Sequence, residues 1–212
     1  MVNESSFSSG SGINSNSASY NARGSVGDLG VGEASSTSYY AYAGPISPSE
    51  EYLELNITGG TVDLGTINTS TTGTGSSTFY VRTYINGSYI VTTMSNPPTN
   101  GSKSLAGMAS AGSSTQGTEQ FGINLVANTS PVSQGANPSL LPNSGFANGI
   151  AAPGYDTTNQ YKYVVGDTIA KSGTGRAWGQ TNYTISYIAN AGPVTTGGTY
   201  SMNHDIVCIP TY

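Results

Sequence analysis

The chain has 212 residues, of which only 6 Lys and Arg and 11 Asp and Glu are charged, with a formal net charge of −5. That is 8% charged, against about 25% in an ordinary soluble domain. This balance gives no basic footprint for nucleic acid or anionic lipid. No apolar run approaches the ~18–20 residues of a membrane-spanning helix.

Residues 1–16 are mostly Ser, Gly and Asn, with only Val2, Phe7 and Ile13 after Met1 to bury, a composition that reads as an extended arm. The start has neither a charged n-region nor an apolar h-region, so the expectation is a mature extracellular or cell-surface chain whose signal peptide has been removed. Tyr20, Ala22 and Val26 follow at roughly strand spacing, and Leu29 and Val31 come after a Gly27-Asp28 turn signal. With Ile13 they make 1–34 a candidate donor strand, too sparse in apolar residues to build a core alone. The rest, 35–212, is expected to be a single domain.

Within that domain, Tyr40 and Tyr42 share a parity before Pro45 and Pro48 break the run. Leu53, Leu55 and Ile57 alternate with Tyr52, Glu54 and Asn56, the pattern of a half-buried strand. Gly59-Gly60 turns the chain, and Val62 and Leu64 begin another short strand. The runs 78–85 and 88–94 flank Asn86-Gly87, the strongest local hairpin signal because both central residues of a type I′ turn need φ > 0. Residues 95–120 form a connection with a weak strand near Leu105, and Phe121, Ile123 and Leu125 mark the next strand. A second long loop, 129–160, carries Pro131, Pro138, Pro142 and Pro153; loops of this length are uncommon and usually functional or mobile. Strands return at 161–165, 168–170, 181–189 and 199–209. No segment places apolar residues at helical spacing with caps. The pattern predicts an all-β, antiparallel β-sandwich, Ig-like or jelly-roll-like and pilin-type, with an extended N-terminal arm.

Sites of chemistry are sparse. His204 is the single histidine and Cys208 the single cysteine, so an intramolecular disulfide and any site built from several histidines are excluded. His204 and Asp205 are adjacent, and on a strand they point to opposite faces; Asp63, Asp156 or Asp167 would have to reach the imidazole through the fold. Neither a Gly-x-Ser-x-Gly elbow nor a Ser-x-x-Lys motif occurs. The acidic cluster Glu50, Glu51 and Glu54 reads as a charged strand edge rather than a glycosidase pair. The expectation is a protein without catalysis, cofactor or metal. Cys208, in an apolar run, reads as a buried small hydrophobe. Trp178, in a glycine-rich stretch, is either a loop anchor or a ligand contact, and the Tyr-rich strands are either a sugar-stacking face or ordinary strand residues. Sequons at Asn3, Asn56, Asn68, Asn86, Asn100, Asn128 and Asn182 mark candidate surface positions. Lys103, Lys162 and Lys171 raise the question of a Lys–Asn isopeptide, but no spacing selects a pair.

The runs Phe121-Gly122-Ile123-Asn124-Leu125 and Tyr183-Thr184-Ile185-Ser186-Tyr187, with Gly197-Gly198-Thr199-Tyr200, resemble a family of secreted surface proteins of uncultured bacteria. Gly27-Asp28-Leu29-Gly30 and Val62-Asp63-Leu64-Gly65-Thr66 fit the same pattern. The layout is more distantly similar to spore-coat-U-like and fimbrial subunits, in which an N-terminal strand of one subunit completes the sheet of the next; the disulfide of some pilins is missing here. The resemblance and the arm together imply a structural subunit of an extracellular filament, pilus or surface fibre, partnered by copies of itself through donor-strand complementation. The contact residues would be Ile13, Tyr20, Ala22, Val26, Leu29 and Val31. The alternative is a monomeric carbohydrate-binding adhesin module that meets glycans or cell surfaces through its tyrosines or Trp178.

Overall fold

The computed structural model describes residues 51–85, 87–101, 103–174 and 177–212, together with the backbone of four short strands nearer the N-terminus. The chain divides into two compact units, Met1–Tyr52 and Leu53–Tyr212. In the first, β1 (Ile13–Asn16), β2 (Asn21–Gly24), β3 (Gly32–Ser35) and β4 (Tyr40–Ala43) follow one another in an antiparallel meander. Ile13 pairs with Gly24 and Ala22 with Ser15. Tyr20, Val26, Leu29 and Val31 lie outside the described residues.

The second unit consists of antiparallel sheets that do not close into a barrel. One sheet has the order β10 (Gln120–Asn124), β14 (Ala177–Asn190), β6 (Gly73–Ile85), β5 (Tyr52–Ile57), and β11 (Ser139–Leu141) also pairs with β14. The other has the order β12 (Gly149–Ala151), β13 (Thr168–Ser172), β7 (Ser88–Thr93), β15 (Ile206–Thr211). A small hairpin joins β8 (Thr99–Asn100) to β9 (Lys103–Ser104). No helix occurs among the described residues.

The β6–β14 ladder is the frame, running from Ala177 opposite Ile85 to Ala189 opposite Gly73. Strand alternation turns Phe79, Val81, Tyr183, Ile185 and Tyr187 inward, where they share one core with Tyr89, Val91 and Ile169 of the facing sheet. The tyrosines of β14 at 183 and 187 therefore belong to the core and not to a solvent face. At its centre Tyr89 Oη and Tyr183 Oη lie 2.8 Å apart. Burial raises the pKa of both phenols above the usual range, so the pair stays neutral, and its hydrogen bond offsets part of the cost of burying two hydroxyls.

Several expected elements differ: β15 begins only at Ile206, where the sequence predicts a strand from 199, and the expected loop 129–160 carries β11 and β12. β6 and β7 do not form the Asn86-Gly87 hairpin; they lie in different sheets, and the chain crosses between layers from Ile85 to Ser88. The edges of β6 are taken by β14 and β5, and those of β7 by β13 and β15, so the two strands bury their apolar faces against each other across the core. Gly87 is needed for a different reason, because a Cβ there would strike the carbonyl oxygen of Thr211. Residues 61–67 make no ladder beside β6 but run across its inner face, with Val62, Leu64 and Ile67 packed on the core. Gly75 permits that crossing, since its Cβ would come within 2.5 Å of Val62 Cγ1. The expected strand at 161–165 is reduced to single bridges, Tyr161 with Gly112 and Lys162 with Ile123.

Candidate functional site

Near Gly73 of β6 and Ala189 of β14, chain segments rather than strands border the inner face of the first sheet. Residues 57–67 form one wall and 198–206 the other, around a cavity of about 740 Å³. Its floor includes Phe79, Phe121, Ile185 and Tyr187, and its walls include Val62, Leu64, Met202 and Ile206. β5 and β15 each end the order of their sheet. Both present partly buried apolar side chains to the core, Leu53 and Leu55 on one and Ile206 and Cys208 on the other. The groove is apolar over slightly more than half of its surface; Asp63 and Asp205 are its charged members, and His204, Tyr187 and Tyr200 its other titratable ones.

His204 braces one wall. Its Nδ1 lies 2.8 Å from Tyr187 Oη and its Nε2 2.8 Å from Thr93 Oγ1. The directions of these bonds follow from the far end. Tyr163 Oη donates to the carbonyl of Ser95 at 2.8 Å, which can only accept, and so receives the proton of Thr93 Oγ1 at 3.2 Å. Thr93 then accepts from Nε2–H, and Nδ1 of the neutral ring accepts from Tyr187. Burial outweighs the favourable charge of Asp205 and pushes the imidazole pKa down to about 4. The result ties the 198–206 segment to β7 and to β14 through one neutral ring.

None of the carboxylates considered from the sequence joins this ring. Asp63 Oδ1 accepts from Gly65 N at 2.8 Å, and Asp156 Oδ1 from Gly154 N at 3.2 Å. Asp167 Oδ2 pairs with Lys162 Nζ at 2.6 Å and accepts from Tyr155 Oη at 3.1 Å. Among the described residues no group of three or more His, Cys, Asp or Glu is placed to hold a metal ion. Cys208 is a free thiol on β15 whose pKa burial pushes up to about 12, so it is protonated and unreactive near neutral pH.

The opposite, outer face of the same part of the sheet is covered. Asn124 Nδ2 donates to the carbonyls of Thr157 and Gln160 at 2.8 and 2.7 Å. Asn128 Nδ2 donates to Asn124 Oδ1 at 3.0 Å and Val126 O at 2.8 Å, and its Oδ1 accepts from Asn159 N at 2.7 Å. Met108, Tyr161 and Ile188 make a second small core there. The long 129–160 loop is thus fastened to the sheet by amides. Asn128 is 3% exposed, so this sequon is closed in the folded chain.

Trp178 stands on β14 rather than in a loop. It is opposite Tyr84 in the register, the two rings stack at 5.5 Å, and its backbone N–H donates to Phe146 O at 2.9 Å. The cross-strand partner, not the glycine-rich stretch before it, decides its place. Sequence reasoning did not locate the groove or the amide cover. The strand expected at 181–189 supplies part of the floor, but the walls come from irregular segments with no periodic signal. Compared with known protein families, curated proteins and solved structures, the chain matches none of them.

Proposed function

We propose that this protein is a structural subunit of an extracellular filament or surface fibre, in which an N-terminal segment of one copy adds as a strand to the open side of the next copy's sandwich. The observation that carries this reading is the apolar groove of about 740 Å³ between two sheets whose terminal strands, β5 and β15, border it. An edge strand offers a row of backbone donors and acceptors, and an incoming extended segment gains main-chain hydrogen bonds there while alternate side chains fill pockets. The occupant comes from the same chain type: residues 1–34 carry Ile13, Tyr20, Ala22, Val26, Leu29 and Val31 at near-strand spacing and too few apolar residues for a core. On assembly the short pairing of β1 with β2 would be exchanged for one with the next copy. A head-to-tail contact of this kind does not close on itself and grows into a filament.

Negative-stain imaging and light scattering of the full chain, a chain lacking residues 1–34, and the Leu64→Asp variant test this. Fibres are expected from the full chain alone, with the other two monomeric and retaining β-type circular dichroism. A full chain that stays monomeric at high concentration, or fibres indifferent to both changes, would overturn the proposal.

A further inference from the structure

The outer face of the first sheet, over the Trp178 half of β14, carries a different chemistry from the groove behind it. The register sets Trp178 beside Tyr84, Gln180 beside Arg82 and Asn182 beside Tyr80. Arg82 donates from Nε and Nη2 to Gln180 Oε1 at 3.1 and 2.9 Å, and Gln180 Nε2 donates to Asn182 Oδ1 at 2.7 Å. Glu54, reached from β5, accepts from Tyr80 Oη at 2.9 Å and lies 3.5 Å from Arg82 Nη1. The guanidinium also sits 5.4 Å from the centre of the Tyr80 ring. Arg82 and Glu54 are the only charged side chains that β5, β6, β11 and β14 contribute, and they neutralise each other.

We infer that this face binds an extended, uncharged polysaccharide. Two properties select that partner. First, the strip pairs aromatic rings with planar amide and guanidinium groups, the combination that meets both the C–H faces and the hydroxyl groups of a pyranose. Second, its charges cancel, which removes the attraction that an acidic polymer, a nucleic acid or an anionic membrane would require. Tyr84 is 39% exposed and the Arg82 side chain 47%, so ring and donors are both reachable. From Trp178 to Asn182 the strip is about 13 Å long at the usual strand rise, enough for two or three sugar rings in line. The proposal is independent of strand exchange, because the groove lies on the other face of the sheet.

Native electrophoresis of the full chain through gels containing hydroxyethyl cellulose, mannan or dextran, each run separately, is the test. Retardation in at least one is expected. It should weaken roughly tenfold in apparent affinity for Trp178→Ala with Tyr84→Ala, and also for Gln180→Ala, which leaves the aromatic pair in place. Unchanged thermal melts of these variants separate lost binding from lost folding. No retardation in any gel would overturn the inference. So would retardation that survives both changes, or self-association lost in the variants without any polysaccharide present.

Discussion

The two faces of β14 between Ile185 and Asn190 share one backbone and one ladder, yet they end in opposite states. Outward, Ser186, Ile188 and Asn190 are buried under loops. Inward, Ile185, Tyr187 and Ala189 line a cavity. The cover on the outer face is held by side-chain amides: Asn190 Nδ2 donates to Ser114 Oγ and Gln120 Oε1 at 2.9 and 3.1 Å, beside the Asn124 and Asn128 bonds. An amide carries both donors and acceptors and costs less to bury than a charge, so a chain poor in charged residues closes a surface with asparagine. The inner face has no such set. Its walls rest on apolar contacts, on a few backbone bonds such as those between Thr99 and Ser201 and from Gly59 N–H to the carbonyl of Thr78, and on the brace through His204. The difference teaches that the groove is not a shortage of chain, since long segments were available and went to the other side of the sheet.

The comparison can be broken from the groove side first. Phe121, on β10, packs edge-on against Tyr163 at 4.8 Å between ring centres, and Phe121→Ala is expected to cost about 3–5 kcal/mol of stability, read from the urea midpoint. Next is pH. The folded imidazole of His204 titrates near 4 and an unfolded one near 6.5, so between these values the unfolded chain binds more protons. The stability contributed by the neutral ring is complete above about pH 6.5 and is lost as pH falls toward 4, by up to about 3 kcal/mol. Urea unfolding at pH 7, 5.5 and 4 should reveal this slope and His204→Gln should flatten it; an identical slope in the variant would refute the brace. Smallest is the outer cover. Asn128→Ala leaves Asn159 N–H without its acceptor and Asn124 Oδ1 with Val126 N–H alone of its two donors, and should cost about 2 kcal/mol, with no change in the slope between pH 6.5 and 4. A pH-dependent loss there would erase the distinction between the two faces.

Much of the fold was legible where a two-residue period met burial on one side. Leu53 and Leu55 turn inward as their alternation with Glu54 and Asn56 predicts, and the runs 78–85 and 181–189 are strands as expected. What was hidden has a common physical cause: long-range partners overrode local signals. Asn128 looked like a surface sequon, but Asn124 and the backbone of Asn159 claim its side chain. Trp178 looked like part of a loop until Tyr84 supplied a strand partner. Of the site, the floor was readable and the walls were not, because 57–67 and 198–206 are placed by packing and single bridges rather than by a repeating ladder.

The crossing at Ile85–Ser88 has a consequence for how the chain reaches this state. Asn86-Gly87 between two β-rich runs favours a local turn, and a local hairpin closes within microseconds. In the native molecule that pairing is absent, and β6 must instead find β14, about a hundred residues away. The quickest contact available to the unfolded chain is thus one that has to be undone, a local choice in conflict with the global one. Distant pairings are already slow to form, so early refolding should populate a trapped hairpin, and the residue pair that looks most helpful in the sequence acts as a brake.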